Sequence, residues 1–153
     1  MQKKTALFIG RFQPLHNGHV HAIKSALKKY DFLIIAVGSI SKKGPENPFS
    51  YGERKKMIGK ALSKYEGRYR IIGVRDTSDE RWTRKVKKIR FDVAISGNSH
   101  VWKCLRGCNI EQPSFLKPKV YNGTKIRIKM GRGIPIIDLV PHKTLKIIEK
   151  KKI

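Results

Sequence analysis

Gly10-Arg11-Phe12-Gln13-Pro14-Leu15-His16-Asn17-Gly18-His19 lies between the apolar run Thr5 to Ile9 and a stretch in which Val20, Ile23, Leu27 and Tyr30 recur at helical spacing. The flanks read as a strand that enters a helix through a short polar loop, the β-loop-α unit of a parallel α/β sheet. Such a loop presents its residues at the mouth of the unit. There the helix N-terminus offers unpaired N–H groups and a partial positive charge to an anion. His16 and His19 fall at the end of the loop and in the first helical turn, where both can face one ligand. Gly18 between them lacks a Cβ and leaves room for a phosphate close to the backbone.

Outward from this segment, strand-like and helix-like stretches alternate, which argues an α/β class. Phe32 to Val37 is continuously apolar, as in a parallel strand covered on both faces. Ser50 with Glu53 forms a capping box, opening a helix that carries Met57, Ala61 and Leu62 on one side. Tyr69 to Val74 reads as a third strand, Trp82, Val86 and Ile89 as the helix after it, and Val93 to Ile95 as a fourth strand. Ser96-Gly97-Asn98 then occupies the C-terminal end of that strand, where open parallel sheets hold ligands. Lys119 to Tyr121 is expected to be a fifth strand. Asn122 caps the following helix, which runs from about Gly123 to Met130 and ends at Gly131 and Gly133. A final helix starts at Pro141 and turns Leu145 and Ile148 inward.

The 153 residues fit one domain, 1–153, with a single core. No apolar run approaches the ~20 residues of a membrane span, and no basic segment leads to a small-residue cleavage site. The expectation is a soluble cytoplasmic protein with no membrane partner. Cys104 and Cys108 supply neither a four-cysteine metal set nor a secreted disulfide framework, and a reducing cytosol favours free thiols. No metal-ligand set is expected. The net charge of +24, from 35 Lys and Arg against 11 Asp and Glu, has three readings. It could attract anionic substrates, bind nucleic acid through phosphates, or reflect a general basic bias. Lysines are spread along the whole chain, which favours a solvated basic surface over a specific nucleic-acid face.

The opening segment resembles the His-x-Gly-His signature of the nucleotidyltransferase superfamily, in the Gly-Arg-Phe-Gln-Pro-x-His-x-Gly-His wording of archaeal-type nicotinamide-nucleotide adenylyltransferases. Asn47-Pro48-Phe49-Ser50-Tyr51-Gly52-Glu53-Arg54 is similar to that family's Asn-Pro-Phe-Thr-x-Gly-Glu-Arg block. Tyr121-Asn122-Gly123-Thr124-Lys125-Ile126-Arg127 is similar to its Tyr-Ser-Gly-Thr-x-Val/Ile-Arg block. Ser96-Gly97-Asn98 matches a further short block, and all four come in family order. Three departures stand out. Glu46 takes the place of a Lys or Arg, Asn122 replaces a Ser, and Ile40 to Pro45 lacks the usual Gln and His. The resemblance implies a single Rossmann-like domain, a parallel sheet with helices on both faces, and a homo-oligomer.

Joining a nucleoside monophosphate to the adenylyl group of ATP needs no covalent enzyme intermediate, because the attacking group is already a phosphate oxygen. In-line positioning and neutralisation of charge suffice. Imidazole N–H groups suit that task, and Arg11 and Arg127 offer planar forks to phosphate. The resemblance implies catalytic roles for His16, His19 and Arg127. It places ATP on Gly10, Arg11, Gly18, Gly97, Asn98, Asn122, Gly123 and Thr124. Phe12, Ser39, Arg54 and Trp82 fall to the second substrate, nicotinamide mononucleotide. Trp82 has two readings, a platform for the nicotinamide ring or a helix residue packed on the core. Arg54 equally fits a phosphate contact or an ion pair, and Asp76 a turn cap. Mg²⁺ would be held largely by the nucleotide's phosphates. Two alternatives are adenylyl transfer to another phosphorylated acceptor and a basic nucleic-acid-binding protein on the same scaffold.

Overall fold

The computed structural model describes residues 3–151. Five parallel strands, β1 (Thr5–Gly10), β2 (Phe32–Val37), β3 (Tyr69–Gly73), β4 (Val93–Ile95) and β5 (Ile110–Glu111), form one sheet in the order β3-β2-β1-β4-β5. Residues alternate between the two faces of each strand, so the inner strands feed two cores. Phe8, Leu33, Ile35 and Ile95 pack with Ile23 and Leu27 of α1 (Asn17–Lys29) and Met57 and Ile58 of α2 (Tyr51–Ala61). Ile126 of α5 (Gly123–Gly131) and Ile147 and Ile148 of α6 (His142–Lys151) join the same core. Leu7, Ile34, Ala36 and Ala94 face the other way, onto Val86 of α3 (Asp79–Lys87) and, beside α4 (Ser99–Cys104), Leu105. The sheet is therefore covered on both faces, as the apolar run at Phe32 to Val37 required. No helix among the described residues is long and apolar enough to cross a membrane.

The strand order reverses between β1 and β4, and the C-terminal ends of both open onto the same crevice. Local signals set the elements around it. Ser50 and Glu53 form the expected reciprocal cap, with Ser50 N–H to Glu53 Oε1 at 2.8 Å and Glu53 N–H to Ser50 Oγ at 3.1 Å. Asn122 Oδ1 accepts the Lys125 N–H at 3.2 Å and so caps α5. That helix includes Gly131, and Gly133, at φ 69°, turns the chain out of it.

Two expectations need correction. Lys119 to Tyr121 is a turn: the Val120 and Tyr121 N–H groups both donate to the Lys117 carbonyl, and Lys117 itself has φ 38°. The fifth strand is instead Ile110–Glu111, paired with Ala94 and Ile95. An edge strand of two residues carries too little periodicity to be read locally. Ile89 lies beyond the end of α3 and packs on the second core from a turn, its N–H bonded to the Val86 carbonyl at 3.0 Å.

Candidate active site

A cavity of about 530 Å³ opens at the β1/β4 switch. Its walls include Gly10, Arg11, His16, Gly18 and His19 from the first loop and Ser96, Gly97 and Asn98 from the end of β4. Tyr121, Asn122 and Gly123 border it at the start of α5, and Ser39, Asp76 and Trp82 at the ends of β2 and β3 and on α3. Three helix N-termini converge here, with His16, Asn98 and Asn122 as their capping residues. The first-turn N–H groups that these caps leave free suit the cavity to an anion.

His16 and His19 cap α1 reciprocally. His16 Nδ1 accepts the His19 N–H at 3.2 Å, and His19 Nδ1 accepts the His16 N–H at 3.1 Å. The rings stack with centroids 3.5 Å apart, and the edge of Phe12 meets His19 at 4.9 Å. With both Nδ1 atoms accepting, each neutral ring carries its proton on Nε2 and keeps that N–H as its remaining donor. Burial pushes the His16 pKa down to about 4. His19 is pushed well below the ordinary range, by burial and then by His16. At neutral pH the pair is thus two preset neutral donors.

Gly18 also makes room for its neighbours. A Cβ there would lie 2.8 Å from Tyr121 Cβ and 2.9 Å from His16 Cε1, so the space is filled by the His16 ring and Tyr121. Gly10 likewise lets the Phe12 ring sit beneath β1, where a Cβ would come within 2.8 Å of it.

The guanidiniums divide between solvent and scaffold. Arg11 is exposed on the cavity wall, its NH2 group donating to the Glu46 carbonyl at 3.1 Å and to Asn47 Oδ1. Arg127 is half-buried and does not line the cavity. It donates to the Gln13 carbonyl at 2.8 Å and to Thr124 Oγ1 at 3.3 Å, fastening α5 to the first loop. Burial, then the charge of Arg11, lowers its pKa, and Glu46 opposes that shift. Arg54 is fully buried. Its donors are spent on the carbonyls of Arg11 at 2.9 Å, Gly38 at 2.7 Å, Ser50 at 3.3 Å and Ser39 at 3.4 Å. A side chain with no cavity surface and four carbonyl partners is a clamp between the ends of β1 and β2, in place of the expected substrate contact. Phe12, 1% exposed at φ 54°, is likewise a support for His19 and away from the cavity wall. Thr124 also lies off the wall.

Trp82 packs against the second core and also borders the cavity. Asp76 faces the cavity and pairs with Lys42 at 3.4 Å. Sequence reasoning missed three contributions. Gln13 Nε2 donates to the Phe49 carbonyl at 3.0 Å while its Oε1 accepts the Phe49 N–H at 2.9 Å, which ties the first loop to the start of α2. Phe115 and Leu116 lie over the cavity from an irregular segment with no periodic signal. His100 borders the cavity with its Nε2 2.9 Å from Asp79 Oδ1. Among the described residues no lysine lines the cavity. Lys56 above all, with burial and then Lys150, Lys143 and Lys146, pushes Lys60 below its ordinary pKa.

Residues 7–109 match the model of the cytidylyltransferase-like family. The chain belongs to that family. Among its relatives this cytidylyltransferase-like chain is 37% identical to the nicotinamide-nucleotide adenylyltransferase of Thermococcus onnurineus, over 97% of its own length and 84% of the relative's. To the enzyme of the same name from Methanococcus aeolicus it is 34% identical, over 95% and 88%. The motif-based resemblance is thus borne out. A solved structure of a bifunctional NMN adenylyltransferase/ADP ribose pyrophosphatase from Francisella tularensis, complexed with AMP and Mn ion, superposes at TM-score 0.74 and 26% identity. The match covers 88% of this chain and 44% of that one. A second structure of that protein gives TM-score 0.78 at 23% identity, over 97% and 49%. The cytidylyltransferase-like chain therefore spans about half of that two-activity protein, and the shared fold is the Rossmann-like one.

Proposed function

We propose that this protein transfers the adenylyl group of ATP to nicotinamide mononucleotide, giving NAD and pyrophosphate. The observation that carries the reading is the locked His16 and His19 pair, two neutral N–H donors on the wall of an anion site at three helix N-termini. In the reaction a phosphate oxygen of the mononucleotide attacks the α-phosphorus of ATP in line, and the bond to pyrophosphate breaks. His16 and His19 Nε2–H groups hold non-bridging phosphate oxygens as negative charge builds. Arg11 adds a cation at the end of β1. Arg127 contributes by fixing the first loop against α5. Gly97, Asn98, Asn122 and Gly123 offer backbone and capping groups to ATP, with Thr124 held by Arg127. Ser39 and Trp82 border the acceptor end.

A neighbour of known structure holds AMP and a Mn ion, so a divalent metal belongs to this reading. Around the histidines the cavity wall presents imidazole, guanidinium and backbone groups, a surface suited to a Mg²⁺ carried by the nucleotide's own phosphates. When bound, that ion would neutralise charge on the departing pyrophosphate. A cytoplasmic, self-associating enzyme without specific nucleic-acid binding completes the proposal.

The test is pyrophosphate release from ATP with nicotinamide mononucleotide, phosphopantetheine or flavin mononucleotide as acceptor, using wild type and Trp82→Ala. The expected result is preference for the nicotinamide acceptor and a raised acceptor KM in Trp82→Ala, with a smaller change for ATP. Faster transfer to either other acceptor would refute the nicotinamide assignment.

A further inference from the structure

On the rim of the cavity lies a cluster that adenylyl transfer does not use. Asp79 is the first residue of α3, and His100 and Cys104 stand four apart on α4, hence on one helix face. One ligating atom from each, a carboxylate oxygen, a ring nitrogen and Sγ, lies within 4.8 Å of the other two. His100 Nε2 and Asp79 Oδ1 are already 2.9 Å apart. The backbones that carry these groups are held firmly. Asn98 Oδ1 accepts the His100 N–H at 2.8 Å, and Val86 and Leu105 anchor the two helices in the same core. Cys104 is half-buried and a free thiol, while Asp79 and His100 are open to solvent. A metal can therefore reach the site without any rearrangement of the core.

The donor types decide which metal fits. Thiolate, imidazole and carboxylate together suit a borderline-soft ion of the Zn²⁺ class, four-coordinate with water in the remaining position. They do not suit Mg²⁺, which prefers six oxygens and keeps its own waters. The outer side of the cluster bears Arg84, Lys87, Lys88 and Lys103. These cations weaken the attraction of a dication, an effect that water screens. Three ligand atoms of these types within 4.8 Å of one another outweigh cations that water screens.

We propose that Asp79, His100 and Cys104 form a binding site for a transition-metal ion of the Zn²⁺ class, separate from the Mg²⁺ that accompanies the nucleotide. On binding, the Cys104 thiol gives up its proton to solvent and the Sγ–metal bond forms. The occupied site joins the start of α3 to α4 at the cavity mouth.

Co²⁺ is a suitable probe because a thiolate–Co²⁺ bond gives a near-ultraviolet charge-transfer band and a tetrahedral site gives intense visible bands. Titration of the full-length protein in excess Mg²⁺ should develop both bands at one equivalent, and Zn²⁺ should bleach them. Cys104→Ser should abolish the charge-transfer band, and Cys108→Ser should keep it. His100→Asn should weaken binding by more than the ~10- to 100-fold typical of a change outside the ligand shell. Saturating Zn²⁺ should also raise the unfolding temperature of wild type and of Cys108→Ser, but not of Cys104→Ser. Absence of the band up to about 100 µM Co²⁺, where any binding would be weaker than roughly −5 kcal/mol, overturns the site. So does a band that survives Cys104→Ser, one that is lost in Cys108→Ser, or one that excess Mg²⁺ removes. If Cys104→Ser does not fold, His100→Asn with the unfolding measurement decides the matter alone.

Discussion

Replacing His16 by Asn separates the two tasks that its ring performs. As N-cap of α1 it accepts the His19 N–H through Nδ1 at 3.2 Å, and through Nε2 it offers a donor to the cavity. Asn places Oδ1 where Nδ1 stands and has nothing at the Nε2 position, so the cap persists and the donor is lost. Asn is among the best N-cap residues, and the variant should stay within ~0.5 kcal/mol of wild type in denaturant unfolding. His16→Ala loses the cap as well and should cost about 1 kcal/mol or somewhat more. Turnover should not follow stability. Both variants should lose ~10²- to 10³-fold in kcat, about 3–4 kcal/mol of transition-state stabilisation, the usual consequence of removing one aimed donor. Pyrophosphate release from ATP and nicotinamide mononucleotide gives the rate, and urea unfolding of the same samples gives the stability. An Asn variant that keeps kcat/KM within about threefold of wild type, under ~0.7 kcal/mol, would refute the donor role. One that unfolds as readily as the Ala variant would refute the capping role.

The pH dependence follows from the same ring. Its folded pKa of about 4 lies below the ordinary 6.5, so the unfolded chain takes up the proton first as pH falls. Stability is complete above pH 6.5, declines as pH drops toward 4, and has lost about 3 kcal/mol below that, His19 acting in the same direction. Urea midpoints between pH 7 and 4.5 should show this slope in wild type and a shallower one in His16→Asn; a flat wild-type profile would oppose it. Gly18→Ala should destabilise by ~1–3 kcal/mol and lower kcat, since its Cβ would press on Tyr121 at 2.8 Å and His16 at 2.9 Å. Unfolding midpoints and kcat equal to wild type would show that the two side chains yield freely. Thr144 is fully buried on α6, and its hydroxyl has no hydrogen-bond partner among the described residues. Thr144→Val keeps the shape and should raise stability by ~1–2 kcal/mol at unchanged turnover, measured in the same urea series; a loss of stability would mean that the hydroxyl is satisfied after all.

The sequence by itself determined whatever depends on neighbours within one or two turns. The Ser50–Glu53 box, the Asn122 cap and the apolar run of β2 are contacts or patterns over a few residues, and each stands where the local reading put it. His16 and His19 belong to the same class, because a spacing of three at a helix start brings them together whatever the rest of the chain does. Tertiary structure decided the remainder. Arg54 reads as a phosphate contact or an ion pair from its helix position, and only the arrival of Arg11, Gly38 and Ser39 around it makes it a buried clamp. The packing need for glycine at position 18 comes from Tyr121, about a hundred positions away in sequence, which with His16 fills the place of a Cβ. The low pKa values of the histidine pair require the burial supplied by surrounding elements. Ile110–Glu111 becomes a strand only because β4 exposes an edge beside it. Asp79, His100 and Cys104 meet because α3 and α4 pack on one sheet face, and no periodicity in the chain records where two helices will lie side by side.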